Sequence, residues 1–191
     1  VTSLVQTLST GYQAEDQLVH VARPHIEALC RDVAWPVSIA TRVGTRMMVR
    51  DSTHKMTSLT FSHYYPGYTL PLAECASGKV TLAFCSEAER QSIVEGWKAA
   101  ESKAASMGLL LLSDDHLIRS IRTEGHAMQI RNAYNADPGK TSSMAVPLFN
   151  AAGDFIGALA LIYFASAMKP QEASERFLAR MQATARDIAG G

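Results

Sequence analysis

Apolar residues recur at intervals of three and four near the start of the chain, from Glu15 to Val33. This spacing follows the 3.6-residue repeat of a helix with one apolar face. The apolar positions are Leu18, Val19, Ala22, Ile26, Leu29, Cys30 and Val33. Pro24 lies inside the pattern and predicts either a kink or the beginning of a second helix. Val1 to Tyr12 alternate only loosely, and we expect a connecting strand there.

A β-hairpin is predicted after this helix. Trp35 to Thr41 and Arg46 to Arg50 have the composition of short strands, and the turn Val43-Gly44-Thr45 separates them. Beyond the hairpin, Gly67, Pro71 and a run of tyrosines indicate an irregular loop.

The middle of the chain predicts helices with recognisable ends. Cys75 to Cys85 has the pattern of a short helix. Ser86-Glu87-Ala88-Glu89 fits a capping box, in which Ser and Glu each satisfy a backbone amide of the other, so a new helix begins there. Ser113-Asp114-Asp115 opens another helix, and Gly125 is suited to end it.

Three strands and a final helix are predicted in the last third. The strands are Ala127 to Arg131, Ser142 to Phe149 and Phe155 to Tyr163, and residues 150–154 form the turn between the last two. The third is almost wholly apolar, which predicts a central strand buried on both faces. Pro170 suits the first turn of a helix. The core face of that helix is Phe177, Leu178, Met181, Ala185 and Ile188. Helices around an antiparallel sheet make an α+β domain.

Size and charge narrow the class of protein. The 191 residues are enough for one domain with its own core, and 47% of them are hydrophobic. Eighteen basic and eighteen acidic residues cancel. Binding to a phosphate backbone needs clustered Lys and Arg, and the sequence has no such cluster, so we expect no DNA binding by this chain alone.

The cysteines and the hydropathy pattern bear on the compartment. Cys30, Cys75 and Cys85 are odd in number and lack paired spacing, which predicts buried thiols in a reducing environment. No apolar run reaches the roughly 18 residues of a membrane helix, and the N-terminus has no signal-peptide pattern. A soluble, cytoplasmic protein is the expectation.

Motifs of catalysis or cofactor binding are not found in the sequence. Gly78-Lys79 suggests a phosphate-binding loop, but Ala73 and Val80 stand where that motif needs Gly and Ser or Thr. His20 and His25 are five residues apart, off a common helical face, so no metal site is predicted. Cys75 lies near a helix start that could lower a thiol pKa. Without an evident base, a buried structural thiol is the favoured interpretation, and we predict no enzyme activity and no cofactor.

An aromatic segment followed by a helix start indicates a binding site. The segment contains Phe61, Tyr64, Tyr65, Tyr68 and Leu70. It ends at the helix turn 75–78, whose backbone amides would favour a carboxylate. The aromatic rings could then form the wall of a pocket for an aromatic acid. The alternative is that the tyrosines simply cover the sheet, and composition alone slightly favours that alternative.

Several motifs, in a fixed order, resemble the effector-binding domain of IclR-family transcription regulators. The central motif is Gly67-x-x-x-Pro71-Leu72-x-x-x-Ala76-x-Gly78-Lys79-x-x-Leu82-Ala83. The other landmarks are 117–119, 124–127, 144–149 and 153–159. The resemblance extends over nearly all of the chain from Glu15. It implies a GAF-like domain at 15–191, a connecting segment at 1–14 from an absent winged helix-turn-helix domain, and homodimers or tetramers.

A narrower resemblance concerns the ligand. Trp35-Pro36-x-x-Ile39-Ala40-Thr41 and Met48-x-Arg50-x-x-Thr53 are similar to regulators of 3-hydroxyphenylpropionate breakdown. The positions that match the pocket of relatives binding small keto acids are Ala76, Ser77, Gln129, Ser143, Ala160 and Ile162. Those relatives carry serines at the last two. The apolar residues found here suit a larger, ring-bearing acid, and with this resemblance the loop aromatics are interpreted as pocket wall.

The resulting hypothesis is a ligand-sensing domain that binds a small aromatic carboxylic acid and controls DNA binding by the absent domain. Amides of Ala76 and Ser77 would hold the carboxylate, and Ser143 would bond a polar group. The ring would lie against Tyr65, Tyr68, Leu70, Ala160 and Ile162. Two alternatives are a GAF-like oligomerisation module without a working pocket, and a small hydrolase using Cys75 or Ser77.

Overall fold

An antiparallel sheet of six strands forms the middle of the domain in the computed structural model, which describes residues 3–60, 64–100, 102–130 and 141–190, with side chains from residue 16 onward. In chain order the strands are β1 (Val37–Val43), β2 (Arg46–Ser52), β3 (Thr69–Pro71), β4 (Ala127–Gln129), β5 (Thr141–Phe149) and β6 (Phe155–Phe164). Their order across the sheet is β3-β2-β1-β6-β5-β4. Every neighbouring pair is antiparallel.

Helices cover both faces of this sheet. They are α1 (Ser3–Val33), α2 (Ala76–Phe84), α3 (Glu87–Ala99), α4 (Lys103–Ser113), α5 (Asp115–Glu124) and α6 (Pro170–Ala189). Short 3₁₀ turns occupy His54–Met56 and Leu72–Glu74. This is the predicted α+β architecture.

The first helix is longer than the sequence pattern predicts. The amphipathic part is confirmed, with its apolar face buried. The strand expected at Val1 to Tyr12 is wrong, because α1 already begins at Ser3; Val1 and Thr2 lie outside the described residues. Once the buried part of a helix is formed, each further residue adds a hydrogen bond at little extra cost, so a weakly patterned segment can continue it. Pro24 lies within this single helix.

Alternation along the strands divides the core into two layers. One set of side chains, including Val37, Ile39, Leu159 and Leu161, packs against α1 and α6. The opposite set, which includes Ala158, packs against α2 to α5. The middle of β6 is buried on both faces, as predicted for a central strand.

The hairpin and the loop after it follow the sequence in part. β1 and β2 pair across the expected turn, where Gly44 has φ 59°. The loop predicted as irregular ends in an extra short strand, β3, which pairs with the edge of β2. Pro71 is tolerated there because it lies at the sheet edge. Phe61 lies outside the described residues, as does Arg131 at the predicted end of β4.

The central helices confirm the predicted ends. The Ser86 hydroxyl accepts from the Glu89 amide (3.3 Å), and the Ser86 amide donates to the Glu89 carboxylate (3.0 Å), which is the capping box. Gly125, at φ 67°, ends α5. The sequence pattern did not predict α4, whose Gly108 lies against the Trp97 ring with no room for a side chain. No helix among the described residues is long and apolar enough to cross a bilayer.

Candidate functional site

A cavity of about 240 Å³ lies between the sheet and the beginning of α2. Four strands contribute most of its floor, with side chains Ser38, Ala40, Met47, Val49, Ser143, Ala160 and Ile162. The segment before β3 and β3 itself supply the wall, with Tyr64, Tyr68, Thr69, Leu70 and Pro71. Glu74, Cys75 and Ser77 close the side next to α2, and Arg46, Gln129 and Thr141 complete the lining.

Strand register places residues distant in sequence side by side in the floor. Gln129 on β4 is opposite Ser143 on β5, which in turn is opposite Ile162 on β6. One step along, Ala160 on β6 is opposite Ser38 on β1. All belong to the sheet face that α2 covers. The cavity therefore has a polar end at Gln129 and Ser143 and a more apolar stretch at Ala160 and Ile162.

Gln129 brings an unsatisfied polar atom to this end. Its Oε1 is buried and accepts no hydrogen bond from the described residues, while its Nε2 is 3.4 Å from the carbonyl of Ile130. An unpaired buried carbonyl costs about 1–3 kcal/mol. Gln129 therefore keeps an unpaired acceptor beside Ser143.

Tyr64 joins the wall to the sheet. Its hydroxyl lies 3.2 Å from the Thr141 hydroxyl, and its ring makes an edge contact with Tyr68, with centroids 5.8 Å apart. Burial raises the pKa of Tyr64, which the hydrogen bond to Thr141 only partly opposes. The phenol is therefore neutral at physiological pH and serves as a hydrogen-bonding group.

Charged residues occur at the cavity margin. Arg46 is exposed, and its guanidinium donates to the Thr69 hydroxyl (2.9 Å) and the Thr69 carbonyl (3.1 Å). This holds a positive charge beside β3. Glu74 contributes a carboxylate on the α2 side. An acid entering the cavity would be attracted by Arg46 and repelled by Glu74.

The beginning of α2 is held close to the chain before it. A Cβ on Gly78 would lie 1.8 Å from the Leu72 carbonyl oxygen, so only glycine fits there. Cys75 precedes the helix and receives a hydrogen bond from the Ser77 hydroxyl (3.4 Å). Burial raises the pKa of the Cys75 thiol despite that bond. It is a neutral thiol, as the structural interpretation predicted, and a poor nucleophile.

Lys79, the second residue of the Gly-Lys pair, points to the sheet. Its ammonium donates to the Met128 carbonyl at 2.9 Å. Burial lowers the pKa of Lys79. The side chain thus connects α2 to β4 and is not part of the cavity lining.

The structure brings most of the predicted site residues together. The lining includes Tyr68, Leu70, Ser77, Gln129, Ser143, Ala160 and Ile162. The two others lie elsewhere. The Ala76 side chain is fully buried in the helix packing, and Tyr65 is 49% exposed, outside the lining, with its ring tilted against Tyr68. Tyr64 takes the wall position that the sequence assigned to Tyr65.

The hairpin also contributes to the cavity, which the sequence did not predict. Ser38 and Ala40 on β1, and Met47 and Val49 on β2, all line the floor. Their alternation was readable, but the face that each set covers depends on the pairing of β1 with β6. Arg46 and Glu74 had no distinguishing signal.

A larger, more open depression of about 610 Å³ lies at the other end of the sheet. Apolar residues of α1, α6 and β6 form half of its lining. At its edge the Arg42 guanidinium lies 3.6 Å from the Glu89 carboxylate. It is wider and more open than the cavity beside α2, and ligand sites are usually enclosed clefts. No cluster of three or more metal-binding side chains occurs among the described residues.

Comparison with known protein families gives a match over almost the whole chain. The family model described as the C-terminal part of the bacterial transcriptional regulator IclR matches residues 10–190.

Solved structures of regulators share the fold. A transcriptional regulator from Rhodococcus sp. RHA1 has a TM-score of 0.74 at 19% identity, over 100% of this chain and 75% of that one. The C-terminal domain of KdgR from E. coli has a TM-score of 0.68 at 21% identity, over 91% and 97%. The inducer-binding domain of PobR from Acinetobacter, a double mutant in complex with 3-hydroxybenzoic acid, has a TM-score of 0.70 at 16% identity, over 89% and 96%. The predicted GAF-like fold is confirmed.

Proposed function

The chain belongs to the IclR family of bacterial transcriptional regulators, as their C-terminal, effector-binding domain, and we propose that its effector is a small aromatic carboxylic acid. The observation that carries this proposal is the cavity beside α2, which combines polar side chains at one end with a mostly apolar floor and tyrosines in its wall. A regulator of this class senses the acid and changes the DNA affinity of the whole protein.

The size of the cavity supports a small ligand. Its volume of about 240 Å³ lies below the roughly 300–1,000 Å³ of sites for drug-sized molecules. With about 30 Å³ for each water in the liquid, the cavity displaces on the order of eight waters. One benzene ring with a short acid side chain is of that order, and a dinucleotide or a sugar chain is too large.

The lining suggests how such an acid would lie. Its ring would pack on Ala160 and Ile162, with Leu70 and Tyr68 beside it. The carboxylate would accept from the first amides of α2, at Ala76 and Ser77, where the helix dipole favours an anion. Arg46 at the margin adds a favourable charge, which Glu74 on the α2 side opposes.

A hydroxyl on the ring would fit the polar end of the cavity. Ser143 can donate or accept, and Gln129 Oε1 is a buried acceptor. The PobR domain, which has the same fold, was solved with an acid of this class, 3-hydroxybenzoic acid. The similarity of residues 35–41 and 48–53 to regulators of 3-hydroxyphenylpropionate breakdown favours that acid for this chain.

Small keto acids are the principal alternative ligands. Burial of apolar ligand surface contributes about 0.8 kcal/mol per CH₂ equivalent, so a ring gains several such increments over pyruvate before orientation costs. Serines at 160 and 162 would each leave a hydroxyl facing that ring, at about 1–3 kcal/mol if unsatisfied. Ala160 and Ile162 remove this penalty.

Calorimetric titration tests the proposal, with 3-hydroxyphenylpropionate, phenylpropionate, 3-hydroxybenzoate and pyruvate as separate ligands. We expect the hydroxylated aromatic acids to bind most tightly and pyruvate at least about tenfold more weakly, equivalent to 1.4 kcal/mol. Equal affinity for pyruvate would contradict the assignment. Absence of binding by any of the four would favour a GAF-like module that serves only in oligomerisation.

We extend the proposal to the full-length regulator. We infer that residues 1–14 connect to a winged helix-turn-helix domain that binds DNA, that the protein assembles as a homodimer or tetramer, and that it acts in the bacterial cytoplasm on genes of aromatic catabolism. The equal numbers of acidic and basic residues support a separate DNA-binding unit. Sedimentation equilibrium at micromolar concentration should return at least a dimer mass, and a monomer mass would contradict this assembly.

A further inference from the structure

We propose that the ion pair between Arg23 and Asp51 couples the cavity to helix α1, so that filling the cavity stabilises α1. The identity of the natural occupant rests on the proposed function, whereas the coupling itself depends only on the packing described below. Nothing in the family match assigns a role to these two residues.

The Arg23–Asp51 pair is a part-buried contact between α1 and the sheet. The Arg23 guanidinium donates to Asp51 Oδ1 at 2.6 Å, and the Ser52 amide donates to the same oxygen at 2.8 Å. The Asp51 side chain is 1% exposed and Arg23 is 54% exposed. Arg23 also lies 3.9 Å from Glu27 on its own helix. A buried carboxylate is costly without a partner, so the position of Asp51 depends on Arg23.

A bulge in β2 directs neighbouring residues to opposite faces of the sheet. Ala40 is paired with Val49, but Ile39 is paired with Asp51, so Arg50 is the extra residue of the bulge. Without it, Val49 and Asp51 would point to the same face. With it, Val49 lines the cavity and Asp51 meets α1. The Arg50 guanidinium donates to the Thr41 hydroxyl at 2.7 Å, which holds the bulge to β1.

The cavity wall is hydrogen-bonded to this same point. The Val49 amide donates to the Tyr68 carbonyl at 2.9 Å, and the Gly67 amide donates to the Val49 carbonyl at 2.8 Å. Tyr68 and Val49 both line the cavity. A displacement of the wall therefore moves the backbone two residues before Asp51.

Filling the cavity would stabilise the arrangement seen here. An occupant that packs on Val49 and Tyr68 favours the bulge geometry in which Asp51 meets Arg23. Because coupling between two sites is reciprocal, the same contact that protects α1 also tightens binding in the cavity. Substitution of the pair therefore tests the coupling directly.

A second ion pair of α1 provides a matched control. The Arg180 guanidinium on α6 lies 3.1 Å from the Asp32 carboxylate on α1, with both side chains more than half exposed. This pair also tethers α1, but to a helix that does not line the cavity. Asp32→Asn therefore weakens a tether of α1 without interrupting the path through β2.

The experiment measures amide hydrogen exchange of residues 16–33, with residues 170–189 of α6 as an internal reference. The proteins are wild type, Arg23→Gln and Asp32→Asn. The cavity is occupied in two independent ways: with saturating 3-hydroxyphenylpropionate, and in part by Ala160→Val, which adds two methyl groups at its floor. A double variant, Arg23→Gln with Asp51→Asn, removes the unpaired charge that the single variant leaves.

In wild type and Asp32→Asn we expect filling to slow exchange in α1 by at least about fivefold relative to α6, the lower end of typical coupling between sites. In Arg23→Gln and in the double variant this slowing should be lost. If the pair is only a structural tether, exchange in Arg23→Gln will be faster throughout but filling will still slow it, and the coupling is overturned. Absence of slowing in wild type overturns it as well.

The two ways of filling separate this coupling from the proposed function. If the acid binds to wild type, the exchange of α1 in its presence decides whether the cavity and α1 are coupled. If calorimetry shows no binding of the acid, the aromatic-acid assignment fails, and Ala160→Val alone decides whether the cavity and α1 are coupled.

Discussion

At the scale of residues, the properties of the cavity depend on a few positions. At some of them a polar atom lacks a partner, and at another the neighbouring atoms leave no room for a larger side chain. Gln129 lines the cavity and has a buried side-chain oxygen without a donor among the described residues, and Ser143 lies on the adjacent strand. Beside them Ala160 has no polar atom to satisfy. Gly78, on α2 beside the cavity, is packed against backbone. Changes of one or two atoms at these positions should therefore have measurable effects.

Ala160→Ser should weaken binding of phenylpropionate by about tenfold, because a hydroxyl facing the ring loses its water, at about 1–3 kcal/mol. Ser143→Ala should weaken mainly 3-hydroxyphenylpropionate, since the hydroxylated acid alone has a group for Ser143 to bond. Titration of each variant with both acids checks this. Ser142→Ala is the control: Ser142 is buried, but the alternation of β5 directs it to the opposite face from Ser143. Equal losses for both acids in Ser143→Ala would contradict the proposed orientation.

Gly78→Ala should destabilise the domain strongly. Alanine is the better helix former by about 1 kcal/mol, but its Cβ would lie 1.8 Å from the Leu72 carbonyl oxygen, which is backbone and cannot rotate away. We expect a net loss of about 3 kcal/mol or more in the free energy of unfolding, as in severe overpacking. Urea denaturation measures it. Gly190→Ala, whose nearest atoms are at 3.8 Å, should change little; similar values for the two variants would refute this packing argument.

At the scale of elements, local signals determine where helices begin, and pairing determines what strands do. The bulge in β2 allows one strand to line the cavity with Val49 and to contact α1 with Asp51. The short helix α2 depends on packing at its first turn, because no side chain caps it. By contrast, α3 carries its own beginning in the capping box of Ser86 and Glu89.

Ser86→Ala should lower the free energy of unfolding by about 1 kcal/mol, the usual value for loss of an N-cap. The substitution removes the acceptor for the Glu89 amide, while the Glu89 carboxylate can still accept from the backbone of residue 86. Ser106→Ala, on the exposed side of α4, removes a 3.3 Å bond to the Ser102 carbonyl and should be neutral or slightly stabilising, because alanine favours a helix. Chemical denaturation of both variants measures the difference, and equal stabilities would count against the cap.

At the scale of the whole molecule, two helical layers enclose one sheet, and burial between these layers changes the ionisation of several groups. Burial raises the pKa of the thiols of Cys75 and Cys85 and of the phenols of Tyr64 and Tyr163. All four are acids that are neutral in the folded state at pH 7. Burial lowers the pKa of Lys79, which acts in the opposite direction.

Stability should therefore fall in alkaline solution. A raised pKa in the fold means that the folded state holds its proton more tightly, so the stability from these groups is complete below their ordinary pKa and is lost as the pH rises through the folded value. The ordinary values are 9.0 for the thiols and 10.0 for the phenols. Between its lowered pKa and 10.5, Lys79 opposes the trend, but one group opposes four.

Thermal unfolding at pH 7 and pH 10 checks this. We expect a lower Tm at pH 10, and a smaller decrease in Tyr64→Phe, because the variant has no phenol to ionise. Tyr65→Phe, whose ring is about half exposed, should behave as wild type does. A decrease in Tyr64→Phe as large as that of wild type would contradict a role for this phenol.

Much of the secondary structure was determined by the sequence itself, because its signals are local. The apolar period of residues 15–33, the capping box at Ser86 and the left-handed position of Gly125 depend on neighbours within a few residues along the chain. The unbroken apolar run of β6 also predicted its central place, since only a strand covered on both faces can bury it. The family motifs around Gly78 were readable for a similar reason: a glycine that packs on backbone has no substitute.

The tertiary structure alone decided which of these elements meet and which side chains face the cavity. Only the structure showed that the helix extends back to Ser3, since that segment carries a weak pattern of its own and continues a helix already formed. The face covered by Val49 depends on sheet register, and that of Asp51 on a bulge; a shift of one residue reverses every side chain after it. In the same way Tyr64 took the place expected for Tyr65. A periodic sequence specifies that a strand has two faces, but only the partner strands and the layers packed on them determine which face becomes the site.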